Sequence, residues 1–361
     1  MKYKGRKIVA LTLMLSMMIT GCASNQAETK RDENVSLDVI IERAKAEGKI
    51  VSVGMPDDWA NWKDTWEDLS REYGLSHTDT DMSSAEEIAK MVAEKDNPTV
   101  DIGDVGIAFG PVAVESGVTQ PYKTSYWDDV PAWAKDEEGH WMLAYTGTIA
   151  FITNTNLVDQ PPTSWADLLS GDYKVSVGDV GKAAQASNAV LACAIANGGD
   201  ETNLEPALNF FETLAKDGRI STVSPSVANL ESGEIEVAIM WDFNALNYRA
   251  QLGESDYAVV IPQEGSVISG YATIINKYAP NPNAAKLARE HIFSDAGQIN
   301  LANGFARPIR SSIDMPDEVK RKMLPEAQYA NAKPVQDHKA WNATTETLPE
   351  LWQMRVLIHL K

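Results

Sequence analysis

A two-lobed α/β protein, with a ligand cleft between the lobes and two crossovers joining them, is the fold class this sequence predicts. Three observations predict it. Short apolar strands alternate with helix-length segments, and the alternation starts twice, as in mostly parallel α/β sheets. Between the two rounds lies Met142-Leu-Ala-Tyr-Thr-Gly-Thr-Ile-Ala-Phe-Ile-Thr-Asn154, uncharged and rich in β-branched and aromatic residues, hence extended. At about 3.3 Å per residue it spans roughly 40 Å, about twice a usual strand, so it is expected to leave one lobe and cross into the other. A second crossing is expected at Ala258-Val-Val-Ile-Pro262 followed by Gly265 to Ile275. Two crossings make one lobe discontinuous and put the hinge near Tyr145–Gly147 and Pro262–Gly270.

The elements follow in order. Lys2, Lys4, Arg6 and Lys7 precede the apolar run Ile8–Ile19 and then Thr20-Gly21-Cys22. This is a secretory signal, shorter than the ~20 apolar residues of a spanning helix. Its last four residues resemble a bacterial lipobox, whose cysteine is lipidated and becomes the new N-terminus. Residues 1–21 are therefore expected to be a signal peptide and 22–35 a polar tether lipidated at Cys22. A short amphipathic helix over Ser36–Glu47 precedes the strand Lys49–Gly54, and a helix through Trp66, Leu69 and Tyr73 follows, with Trp62 and Trp66 at packing spacing. Leu75–Thr80 is a strand, Ser83 opens a helix, and Thr99–Ile102 is a strand ending in Gly103-Asp104-Val105-Gly106. After the central strand, Pro161-Pro162-Thr163-Ser164-Trp165 marks a turn and helix cap, and the pattern restarts with the strand Lys174–Gly178 and helices over Ala183–Asn197 and Leu204–Lys216. The strand Glu236–Asp242 and the helix Phe243–Leu252 complete the second round, and 277–361 is mainly helical with proline breaks.

Composition narrows the function. With 361 residues, 44% hydrophobic and 23% charged, the chain is long enough for two globular lobes. A formal charge of −19 argues against nucleic acid as a partner. With Cys22 lipidated, Cys193 is alone in the apolar run Ala189–Ile195 and reads as a small buried hydrophobe. His77, His140, His291, His338 and His359 have no metal-ligand spacing, and nucleophile, Walker and zinc-protease motifs are missing from the sequence. No catalysis, cofactor or metal is expected.

Ligands of open α/β sheets sit beyond the carboxyl ends of strands. Four such loops can be named: Asp57-Asp58-Trp59, Ser83-Ser84, Asp179-Val180-Gly181-Lys182 and Trp241-Asp242-Phe243-Asn244, with Tyr145 expected between them. Ser83 and Glu86 fit a capping box, and the N–H groups of such a helix start also attract anions. Gly181 allows close backbone approach, and Lys182 brings a positive charge. Trp59, Tyr145 and Trp241 can stack on a cation or an apolar body. Asp58 and Asp242, each beside a tryptophan, suit an ammonium group. Asp104 and Asn244 complete the candidate ligand-binding set, and Arg307 is read as tying down the C-terminal segment.

Particular stretches carry a family likeness. Ser83-Ser-Ala-Glu-Glu-Ile-Ala-Lys90, Pro162-Thr-Ser-Trp-Ala-Asp-Leu-Leu169, Ala279-Pro-Asn-Pro-Asn-Ala-Ala-Lys286, Ser294-Asp-Ala-Gly-Gln298 and Ala306-Arg-Pro-Ile-Arg310, together with the lipoprotein signal, resemble the extracellular solute-binding proteins of bacterial ABC importers. The likeness covers roughly 48–355 and is nearest to the ferric-iron, polyamine and phosphonate binding group. It implies the type 2 periplasmic-binding fold, with lobe 1 over 36–145 and 267–361 and lobe 2 over 146–266. It further implies closure on a small solute, docking on a membrane permease and a lipid anchor outside the cytoplasm; a monomer is expected. The expected solute is an amine, a phosphonate or phosphate ester, or a zwitterion carrying both groups. Iron-binding members of the group place two adjacent tyrosines where this chain has Trp241-Asp-Phe-Asn-Ala-Leu-Asn-Tyr248, which disfavours ferric iron, a hard ion that wants phenolate or carboxylate oxygens. Iron binding, and a surface-anchored sensor or enzyme on the same fold, are the alternatives.

Overall fold

The computed structural model describes residues 35–360; the expected signal peptide, Cys22 and the tether up to residue 34 lie outside them. The first round of elements runs α1 (Leu37–Glu47), β1 (Lys49–Val53), α2 (Trp62–Tyr73), β2 (Ser76–Thr80), α3 (Ser84–Ala93), β3 (Ile102–Gly106) and α4 (Phe109–Glu115), and leads into β4 (Trp141–Asn154). The second comprises α5 (Trp165–Ser170), β5 (Val175–Ser176), α6 (Ala184–Ala196), α7 (Glu205–Lys216), β6 (Ile220–Ser221), α8 (Val227–Glu231), β7 (Val237–Trp241), α9 (Asp242–Leu252) and β8 (Tyr257–Val260). The chain returns on β9 (Ser266–Ile275) and ends with α10 (Pro282–Phe293), α11 (Asp295–Asn303), β10 (Arg307–Pro308), α12 (Asp317–Lys320), β11 (Ala332–Pro334) and α13 (His338–Arg355).

The strands lie in the order β2-β1-β3-β9-β4-β7-β5-β6, with β8 and β10 also on β4 and β11 on β9. β4 is the junction. Its residues 141–148 pair antiparallel with β9, whereas 149–153 pair with β7 and 151–154 with β8. The change of partner falls just past Gly147. The second change falls between β8, which lies on the far half of β4, and β9, which lies on the near half. The sheet is mixed rather than mostly parallel: β1 is parallel to β2 and β3, and β5 to β6 and β7, but β4 and β9 run in opposite directions, β9 pairs antiparallel with β3 and β4 with β7, and only the short β11 lies parallel to β9. The outer strands thus keep α/β topology, and the long connecting strands do not.

Two glycines let these strands approach. A Cβ on Gly270 would lie 2.1 Å from the Tyr145 carbonyl oxygen, beside the point where the β4–β9 register shifts between Leu143 and Tyr145. A Cβ on Gly147 would lie 2.6 Å from the Phe243 ring. Buried polar groups then fasten distant segments. Asp101 accepts from the Val51 and Asn281 backbone N–H groups and from the Asn281 amide at 2.7–3.0 Å. These ties hold it at the turn before β3, so the strand starts at Ile102 rather than Thr99. Arg289, fully buried, donates to the carbonyls of Tyr122, Gly139, His140 and Thr273. Arg307 ties down the C-terminal segment, pairing with Glu326 at 2.5 Å and lying 4.0 Å over the Tyr329 ring. Cys193 is free and buried.

The C-terminal helix packs against the second round of helices. α13 packs on α7, with Trp352 edge-on to Phe211 at 5.1 Å and Arg355 paired with Glu212 at 2.8 Å. The apolar faces of α7 supply the reason: Phe210, Phe211 and Leu214 need covering, and Trp352 does it.

Candidate functional site

The carboxyl end of β3 meets the start of α6, where an ideal Cβ on Gly106 would stand 3.5 Å from Ala184 Cβ and 3.8 Å from Ser84 Oγ. Strand end and two helix starts thus converge on one point. Beside it is a cavity of about 330 Å³, bounded by Gly106–Phe109, the turn and first helical residues from Val180 to Asn188, Trp241, Ser269–Tyr271, and one face of α13. No side chain caps the start of α6; the first N–H groups of such a helix attract negative charge.

An aromatic cluster adjoins the cavity through Trp241 and Tyr271. Trp241 donates its indole N–H to the Tyr271 hydroxyl at 3.3 Å, and Trp59 stands edge-on to Tyr271 and Phe243 at 5.3 and 5.4 Å. Trp59 Nε1 donates to Tyr145 Oη at 2.6 Å, and Tyr145 donates to Asp104 Oδ2 at 2.7 Å. The Asp104 backbone N–H in turn donates to Glu87 at 3.1 Å. Both carboxyls are buried. Desolvation, above all, pushes Asp104 up to about 8 and Glu87 well above its ordinary value, the latter with Asp104 as a second cause. Burial thus favours the protonated form of both carboxyls.

The expected site residues divide. Trp241, Lys182 and the Asp179–Lys182 turn lie at or beside the cavity, but the Lys182 ammonium is 82% exposed and 3.7 Å from Asp179. Asp179 itself accepts from the Gly181 N–H at 3.0 Å, shaping the turn. Ser84 accepts from the Gly106 N–H at 3.0 Å, and Glu86 accepts both the N–H and the hydroxyl of Ser83. Tyr145, Trp59 and Asp104 form the hydrogen-bonded chain described above, buried at Tyr145 and Asp104. Asp242 is turned inward. Its Oδ1 accepts from the Thr148 and Phe243 N–H groups at 2.8 and 2.9 Å, and its Oδ2 accepts from Tyr329 at 2.7 Å. Both oxygens are engaged by the protein, so Asp242 braces the crossing strand. Asn244 is buried and donates to Gln185 at 3.2 Å. Asp58 lies apart, in a polar hollow with Asp57, Asp64 and Asn247. Among the described residues no group of three or more His, Cys, Asp or Glu is placed to hold a metal ion.

Sequence reasoning missed the polar lining of α6 and α13: Ser187, Asn188, Asn342, Thr345 and Glu346. The i, i+4 spacing of Asn342 with Glu346, and of Trp341 with Thr345, marks a shared helix face, but only tertiary contact turns that face toward the cavity.

Residues 97–333 match the sequence model of a family described as bacterial extracellular solute-binding protein. The chain belongs to that family. A probable ABC transporter periplasmic-binding protein of Sinorhizobium fredii is 26% identical to this solute-binding family member over 192 residues. The match takes in 50% of this chain and 53% of that protein, so the chain spans about half the length of that relative. Two solved structures share the fold. The periplasmic binding protein AfuA from Actinobacillus pleuropneumoniae, with fructose-6-phosphate bound, is 18% identical with a TM-score of 0.70, over 86% of this chain and 98% of that one. The spermidine/putrescine transporter's substrate-binding protein PotD from Streptococcus pneumoniae is 15% identical with a TM-score of 0.63, over 87% and 99%. Type 2 solute-binding architecture is therefore the fold. Among the described residues no helix is long and apolar enough to cross a membrane.

Proposed function

We propose that this chain is the solute-binding component of an ABC importer, which captures a small polar solute in the cavity beside the start of α6 and delivers it to a membrane permease. The observation that carries the reading is the convergence at Gly106: a strand end from the first round and an uncapped helix start from the second meet beside a cavity. Support comes from the family match and from a fold shared with binding proteins for a sugar phosphate and for polyamines. The solute is an amine, a phosphonate or phosphate ester, or a zwitterion with both groups. Partner change on β4 and between β8 and β9 supports a two-strand hinge between lobes that close on the solute. Cys22 anchors the mature protein by lipid outside the cytoplasm.

Mass spectrometry of small molecules released from gently purified protein tests this reading, followed by calorimetry with the compound found. A stoichiometric solute that stabilises the protein supports it; at 100 times its Kd the gain is about 2.7 kcal/mol. Protein that releases nothing and responds to no amine, phosphonate, phosphate ester or ferric ion contradicts it.

A further inference from the structure

The polar side chains of α6 and α13 at the cavity have a common bias. Ser187 Oγ donates to the Ala184 carbonyl at 3.0 Å, and Asn188 Nδ2 to the same carbonyl at 2.8 Å. Across the cavity, Asn342 Nδ2 donates to the Ala108 carbonyl at 3.2 Å, and Thr345 Oγ1 to the Asn342 carbonyl at 2.8 Å. Each spends a proton on the backbone and keeps lone pairs. Those amide bonds also fix which end of each asparagine is oxygen. Asn188 Oδ1 and Asn342 Oδ1 are both buried without a hydrogen-bond partner, and Asn188 as a whole is 5% exposed. Unmet buried acceptors are costly. Glu346, one turn beyond Asn342 on the same face, adds a carboxylate to the lining.

We infer that this acceptor set, shared between α6 and α13, reads a primary ammonium group on the solute, with Asn188, Asn342 and Glu346 as its specificity-determining residues. An ammonium carries three donors and no acceptor, which is the complement of two orphaned amide oxygens and a carboxylate. A phosphate or carboxylate end placed against these three oxygen groups would meet lone pairs and a like charge. Trp241, Tyr271 and Trp341 line the same cavity and suit the apolar body of an alkylamine or the face of its cation. The C-terminal helix, which carries two of the three residues, is thereby a selectivity element as well as a packing one.

This inference rests on the solute-capture reading, and the experiment separates the two. Calorimetry compares 3-aminopropylphosphonate, 1,4-diaminobutane and propylphosphonate on wild type, Glu346→Gln and Asn342→Leu. At least one amine probe binds wild type tenfold or more tighter than propylphosphonate, about the weight of one charge-assisted contact. Glu346→Gln and Asn342→Leu each weaken that probe by about tenfold and do not weaken propylphosphonate. A purely structural role for the two residues would weaken all probes alike, and that result overturns the inference. So does equal or tighter binding of propylphosphonate, absence of binding by both amines, or a co-purifying solute without a protonated amine. The last leaves solute capture standing; only the lack of any solute removes both.

Discussion

Asp242 gives the sharpest mutational test, because two variants separate its geometry from its charge. In Asp242→Ala, the Thr148 and Phe243 N–H groups and the Tyr329 hydroxyl lose their acceptor. At about 1–3 kcal/mol for each buried group left unmet, the loss is on the order of 3–9 kcal/mol. Asp242→Asn keeps a carbonyl oxygen for the two N–H groups and an amide opposite Tyr329, which can reverse its bond. Charge is then the main difference from wild type. Burial raises Asp242 from 3.8 to about 6, so the folded state holds the proton more tightly than the unfolded chain. The resulting stability is fully present below the unfolded value and is lost as pH rises from about 3.8 through about 6. The whole loss is about 3 kcal/mol; about 1 kcal/mol of it falls between pH 5 and pH 7, above the isoelectric point near 4.7. Urea unfolding of both proteins at pH 5 and pH 7 reads it. Asp242→Asn gains on wild type by about 1 kcal/mol between the two pH values. A difference that stays flat, or moves the other way, refutes the buried-carboxylate account.

Three further outcomes follow from the geometry. Gly270→Ala places a methyl against the Tyr145 carbonyl and should cost on the order of 1–3 kcal/mol, seen as a lower urea midpoint; an unchanged midpoint would deny the close approach of β9 to β4. Arg289→Ala strands four carbonyls, those of Gly139 and Thr273 buried, and is expected to cost about 3 kcal/mol or more, measured in the same way. Cys22→Ala should move the expressed protein from the membrane fraction to the soluble fraction, or leave it unprocessed, as read by fractionation and N-terminal mass.

The legible part of the molecule is the part governed by local pattern. The length and composition of 142–154 identified β4 as a crossing strand, and the proline–glycine break before β9 marked the return. The helix starts at Ser84 and near Ala184 could be read from capping and glycine, and they do converge. What could not be read is side-chain direction at element ends. Asp242 adjoins Trp241 in sequence, yet it opens α9 facing Thr148 and Tyr329, while Trp241 lines the cavity. α13 was illegible as site material for a related reason. Its partner surface on α7 lies more than a hundred residues away, and Arg355 with Glu212 and Trp352 with Phe211 decide which face turns inward. The mixed sheet has the same origin, since strand direction in the connecting segments depends on how the halves join.

The most direct test of solute capture is a crystal structure of the protein purified with whatever it carries from the cell. The solute should lie between the Gly181–Asn188 segment, Trp241 and the Trp341–Glu346 face, with a donor group on the oxygens of Asn188 and Asn342. A solute bound instead in the acidic hollow around Asp57, Asp58 and Asp64 would contradict the account.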